Sequence, residues 1–108
     1  MREINRQAFA SARADGAYVI DVREPDEYVA GHIPGVTLMP MTSVPARLTE
    51  IPRNAPVYVV CATGNRSAQI TGLLLQAGYD AWSVAGGTGG WQSAGYPVVQ
   101  GTAADVAA

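Results

Sequence analysis

Short apolar runs alternate along this chain with stretches whose apolar residues fall at helical spacing, and that alternation leaves few folds open. Tyr18-Val19-Ile20, Val36-Thr37-Leu38-Met39, Val57-Tyr58-Val59-Val60 and Ala81-Trp82-Ser83-Val84 read as buried strands. The clearest helix is Ser67 to Ala77, where Ile70, Leu73, Leu74 and Ala77 repeat at i, i+3, i+4 and i+7 before Gly78 stops it. Glu24 to Gly31 has Pro25 near its first helical position, acids in its first turn and glycine at its end, which predicts a short helix. Further helices are expected over Asn5 to Ala14, over Ser43 to Leu48 with Pro45 in the first turn, and around Trp91 after the Gly86-Gly87 turn. Strands that alternate with helices imply a parallel sheet covered on both faces, hence an open α/β fold. Ligands of such sheets bind outside the carboxyl ends of the strands.

At 108 residues the chain is the size of one domain, large enough to bury a core without disulfide or metal support. The domain is expected over residues 1–100. Residues 101–108 lack periodicity and are expected as a flexible tail. A net charge of −2 gives no support to nucleic-acid binding, which favours a basic face. A single cysteine excludes an intramolecular disulfide and a Cys-x-x-Cys site, and with one histidine beside it a Cys/His zinc site is implausible. The amino-terminal residues contain no apolar core of signal-peptide length, and no run is long enough to span a bilayer, so a reduced cytoplasm is the expected compartment.

The single cysteine opens the segment Cys61-Ala62-Thr63-Gly64-Asn65-Arg66, which follows one predicted strand and precedes the clearest predicted helix. A thiol at that junction faces the helix's free backbone N–H groups, which favour thiolate over thiol. Gly64 allows backbone angles closed to other residues, so successive amides can turn inward around one point. Asn65 or Ser67 is expected to cap the helix. Arg66 is expected at the rim, where its guanidinium would attract an anionic substrate. Such a bowl suits a persulfide (Cys–S–S⁻) as well as a thiolate. The competing reading is a buried structural thiol, since free cysteine is among the most buried residue types.

This loop resembles the active-site loop of rhodanese-type sulfurtransferases, and the resemblance extends beyond it. Asp21-Val22-Arg23-Glu24, then Glu27-Tyr28, then Gly31-His32-Ile33-Pro34-Gly35 look like that family's amino-terminal signature; Gly86-Gly87, Trp91 and Gly95-Tyr96-Pro97-Val98 look like its carboxyl-terminal one. The resemblance implies a parallel sheet of about five strands with helices on both faces. It also implies sulfur transfer through a Cys61 persulfide, with no metal or organic cofactor. Cys61 would be catalytic, and Ala62, Thr63, Gly64, Asn65, Arg66 and Ser67 would bind substrate. Partners would be a thiosulfate or persulfide donor and a thiol, cyanide or protein acceptor, with no nucleic acid and no membrane. Many active members carry a basic residue directly after the cysteine, whereas this chain has Ala62, so its loop offers a single cation for doubly charged thiosulfate. Two alternatives stand beside this reading. One is a persulfide carrier or interaction module without turnover. The other is a cysteine phosphatase, against which four residues rather than five separate Cys61 from Arg66, with Val60 where histidine usually precedes the cysteine.

His32, within Gly-His-Ile-Pro-Gly, is expected to hold its turn by bonding nearby backbone. Asp21 and Arg23 are expected to form an ion pair that steadies the neighbourhood of the site. The acids Glu24, Asp26 and Glu27 read as a solvated helix start. Trp82 and Trp91 read as packing residues, Gly86-Gly87 as a cleft wall or a turn, and Arg47 and Arg53 as ordinary surface charges.

Overall fold

The computed structural model describes residues 2–104. In chain order the elements are β1 (Glu3–Ile4), α1 (Arg6–Ala14), β2 (Tyr18–Asp21), α2 (Pro25–Ala30) and β3 (Thr37–Leu38). Two short 3-10 helices follow (Met41–Ser43 and Pro45–Glu50), then β4 (Val57–Val60), α3 (Asn65–Gln76), β5 (Ala81–Val84) and α4 (Gly87–Ser93). The five strands form one sheet in the order β1-β5-β4-β2-β3, parallel throughout. Local chemistry sets the helix starts: Asn5 caps α1 by accepting the Ala8 N–H at 2.8 Å, and Pro25 opens α2.

Alternation along the strands divides the core into two. Ile20, Val57, Val59 and Cys61 face Ile70 and Leu74 of α3 on one side. Val19, Val60 and Val84 face Phe9 of α1, Tyr28 of α2 and Trp91 of α4 on the other. Cys61 continues the Val57-Val59 rhythm one step beyond β4, which places its side chain on the α3 face of the sheet.

The structure departs from the sequence pattern in three places. β1 is two residues long, too short for any periodicity, and is defined by pairing with β5, Glu3 beside Ser83 and Ile4 beside Val84. The segment expected as one helix over Ser43 to Leu48 is a pair of 3-10 helices, with non-helical backbone at Arg47 (φ −114°, ψ 16°). The tail expected from residue 101 is bonded to the body as far as it is described: Gly101 N–H donates to Val29 O at 2.9 Å and Gly35 N–H to Ala104 O at 3.0 Å. Residues 105–108 lie outside the described residues.

Candidate active site

β4 is the middle strand, with β5 on one side and β2 on the other. The chain leaves β4 through α3 towards β5 and leaves β2 through α2 towards β3, in opposite directions along the sheet. That divergence opens a crevice at the carboxyl ends of β2 and β4, and Cys61 sits at its floor, 1% exposed.

Two glycines shape the loop that follows. Gly64 takes φ +122° and ψ −10°, a backbone closed to side-chain-bearing residues, and stands as the cap before α3. The helix therefore begins at Asn65, and neither Asn65 nor Ser67 caps it. Ser67 is already in the first turn, and its Oγ donates back to Gly64 O at 3.1 Å. Gly87, at the start of α4, approaches the loop from the other side: a Cβ there would lie 2.4 Å from Cys61 O and 2.6 Å from Ala62 O. This closeness lets Thr88 N–H donate to Cys61 O at 2.8 Å and Gly89 N–H to Ala62 O at 3.0 Å. With both carbonyls held outward by α4, the loop's amides turn towards the sulfur. Gly64 N–H donates to Cys61 Sγ at 3.1 Å.

Beneath the sulfur lie two buried hydroxyls. The Cys61 thiol donates to Ser67 Oγ at 3.4 Å, and Ser67 Oγ lies 2.8 Å from Ser83 Oγ on β5. Once the thiol ionises, the Ser67 hydroxyl can turn its proton to the sulfur. Burial pushes the Cys61 thiol up, but hydrogen bonds from the Ser67 hydroxyl and from the Ser67, Gly64 and Thr63 amides outweigh it. The thiol is held below its ordinary value.

Arg66 stands at the rim, a third exposed, and is engaged. Its Nη1 and Nη2 donate to Glu27 Oε1 and Oε2 at 2.7 and 2.9 Å, a two-pronged pair across the crevice between α3 and α2. The Arg66 hydrogen bonds hold the Glu27 carboxyl down to about 2, well below the usual carboxylate range. Glu27 also accepts the Glu24 N–H at 2.9 Å, so it is tied at both ends. The sequence reading of the Glu24-Asp26-Glu27 run as a solvated helix start misses this role, because acids in a first turn are explained locally by the helix dipole and nothing local points to a partner across the sheet.

The other expected site residues are distributed as follows. Ala62 is half-buried with its carbonyl spent on α4, while Thr63 and Asn65 are exposed. Asp21 and Arg23 form the expected ion pair, buried: Arg23 Nη2 donates to Asp21 Oδ2 at 2.8 Å and also to Gly31 O at 2.9 Å. His32 is fully buried, its Nδ1 2.7 Å from Tyr28 O and its Nε2 2.8 Å from Ala103 O, with its ring stacked on Tyr28 at 3.6 Å. Both ring nitrogens are thus committed to backbone, the structural role its sequence setting suggests. Trp91 is core, packed edge-on against Phe9, while Trp82 is half-buried beneath Arg2. The residues missed by sequence reasoning are Glu27 and Ser83. A serine facing inward on a strand of apolar neighbours was the one available signal for Ser83.

Comparison with known proteins bears on what this crevice is. The model of the rhodanese-like domain matches residues 5–94. The chain belongs to the rhodanese-like family. Among its rhodanese-like relatives, a sulfurtransferase of Allochromatium vinosum is 33% identical over 102 residues, spanning 92% of this chain and 95% of that one. The thiosulfate sulfurtransferase GlpE of Pseudomonas entomophila is 36% identical over 97 residues, spanning 89% and 88%. A rhodanese-related protein from Thermoplasma volcanium superposes with a TM-score of 0.87 at 34% identity, covering 94% of this chain and all of that one. The five-stranded parallel sheet with its helices matches that rhodanese-related structure, and sulfur transfer is the reaction class of this rhodanese-like chain.

Proposed function

We propose that Cys61 is the nucleophile of this sulfurtransferase and carries the transferred sulfur as a persulfide. The observation that supports this most directly is the setting of its sulfur: buried at the crevice floor, 3.1 Å from the Gly64 amide, above the Ser67 hydroxyl, and held below its ordinary pKa. The Cys61 thiolate attacks the outer sulfur of the donor. For thiosulfate, the new S–S bond forms as the bond to sulfur of the sulfite group breaks, and sulfite leaves with the electron pair. For an alkyl persulfide, a thiolate leaves in the same way. An acceptor thiolate or cyanide then attacks the outer sulfur of the Cys61 persulfide and restores the Cys61 thiolate. This is covalent catalysis in two displacement steps. The amides of Thr63, Gly64 and Ser67 stabilise the charge on Cys61, each a preorganised dipole needing no reorganisation. Ala62, Asn65 and Arg66 complete the wall that receives the donor. The chemistry needs a reduced cysteine, which fits a cytoplasmic site of action. Among the described residues no helix is long and apolar enough to cross a membrane.

The compensated Arg66 also favours a second reading, a carrier that loads once and waits for its partner; repeated turnover with cyanide separates the two. Phosphoryl transfer is disfavoured, because the one loop cation faces Glu27 and four residues span the loop between Cys61 and Arg66.

The test is the intact mass of the reduced protein before and after incubation with thiosulfate or an alkyl persulfide, with Cys61→Ala alongside. The expected result is one added sulfur atom in the wild type and none in the variant. Equal loading of Cys61→Ala would remove Cys61 from the mechanism.

A further inference from the structure

We propose that Glu27 sets the charge preference of the sulfur donor by neutralising Arg66, so that the site favours alkyl persulfides, with one negative charge at the transferable sulfur, over dianionic thiosulfate. The inference rests on the sulfur-transfer reading above and deepens it.

Arg66 is the only cation in the loop sequence from Cys61 to Ser67. Both of its terminal nitrogens point at the two oxygens of one carboxylate. Glu27 is preorganised for this, because its Oε1 is also held by the Glu24 amide at the start of α2. The second guanidinium near enough to act on Glu27 is Arg23, and that one is locked on buried Asp21. The charges that act on Arg66 are Glu27, Asp21 and the Cys61 thiolate. Two guanidinium groups thus stand against two carboxylates and a thiolate, so the crevice carries no positive excess once its nucleophile is ionised. A dianion entering it must displace a carboxylate already paired in two-pronged geometry or do without the cation. A monoanionic persulfide loses half as much by the same neutralisation, since Coulomb energy is linear in the donor's charge. Glu27 acts on the donor chiefly through Arg66, as a positioning residue.

The test compares wild type, Glu27→Gln, Arg66→Gln and the double variant. The half-saturating donor concentration (KM) and saturating rate of Cys61 loading are read by timed intact mass. The two donors are thiosulfate and hydroxyethyl persulfide. Glutamine keeps an oxygen for the Glu24 amide, and Glu27→Ala provides a second variant without that contact. Freeing Arg66 is expected to lower the thiosulfate KM by about five- to tenfold and the persulfide KM by only about two- to threefold, the square root that halved charge implies. The saturating rates should stay within about twofold, and the gain should shrink as added salt shortens the screening length to about 10 Å or less. In the Arg66→Gln background the substitution at Glu27 should change the KM values much less, because it then removes only a screened carboxylate charge and frees no guanidinium. Equal changes for both donors, or an undiminished effect without Arg66, would overturn the role of Glu27. A wild type that loads from neither donor would overturn the sulfur-transfer reading, and this inference with it.

Discussion

Replacing Gly87 with alanine adds a methyl group where the ideal Cβ lies 2.4 Å from Cys61 O, 2.6 Å from Ala62 O and 2.7 Å from Ala62 C, all backbone atoms with no side chain to swing away. The residue also sits at φ +59°, which costs an alanine about 1–2 kcal/mol before any contact is counted. Relief of the clash requires α4 to retreat from the loop by roughly an ångström, given ordinary contact distances near 3.5 Å. At that separation the Thr88 and Gly89 amides no longer reach the two loop carbonyls, now 2.8 and 3.0 Å away. Losing both bonds in a half-buried setting costs about 2–3 kcal/mol. The expected destabilisation is about 3–5 kcal/mol, or a fall in Tm of about 15–25 °C for a domain of this size. Because those carbonyls would be free to rotate inward, the Cys61 thiol should also lose amide stabilisation and its alkylation profile should move to higher pH. Two other glycines separate the causes. Gly86→Ala shares a positive φ, +77°, but its nearest contact is 3.5 Å away, so it should cost only the backbone strain of about 1–2 kcal/mol. Gly72→Ala lies in α3 with nothing within 4 Å and should stabilise by about 0.5–1 kcal/mol. Urea unfolding of the three variants measures all of this. A Gly87→Ala protein within 1 kcal/mol of Gly86→Ala would refute the claim that close approach of α4 holds the loop open.

Two further outcomes follow from the site's electrostatics. Ser67→Ala removes the hydroxyl that bonds Cys61 Sγ, Gly64 O and Ser83 Oγ; the pH midpoint of iodoacetamide alkylation should rise relative to wild type, and an unshifted midpoint would take the hydroxyl out of thiolate stabilisation. The Glu27 carboxyl, held down to about 2 when folded against about 4.3 unfolded, contributes stability that is present above pH 4.3 and lost as pH falls through 2. After allowance for solvent screening of a pair one-third exposed, that contribution is about 1–2 kcal/mol. The gap in unfolding free energy between wild type and Glu27→Gln should therefore close between pH 5 and pH 2; a gap that stays constant over that range would contradict the pairing.

Local patterning carried most of the fold. The bounds of β4 and β5 coincide with apolar runs, and α3 with a stripe at helical spacing, because a strand or helix buried on a defined face must repeat its apolar residues at its own period. The position of Cys61 was legible for the same reason: it lies where one period stops and the other starts. Elements whose existence depends on a distant neighbour left no such mark. β1 is a strand because β5 lies beside it, and no two-residue segment can announce that.

The site divides along the same line. Residues contiguous in the chain, from Cys61 to Ser67, declare a nucleophile, a glycine turn and a cation, since their relation is set by a few backbone angles. Three features were decided only by the tertiary structure: that Arg66 is paired with a carboxylate 39 residues earlier, that Ser83 on the neighbouring strand lies beneath the nucleophile, and that Gly87 is glycine because another segment's carbonyls pass 2.4 Å from its would-be side chain. Charge, burial and close approach are properties of what surrounds a residue. In a parallel sheet whose neighbouring strands are joined through helices, those surroundings come from segments far apart in sequence.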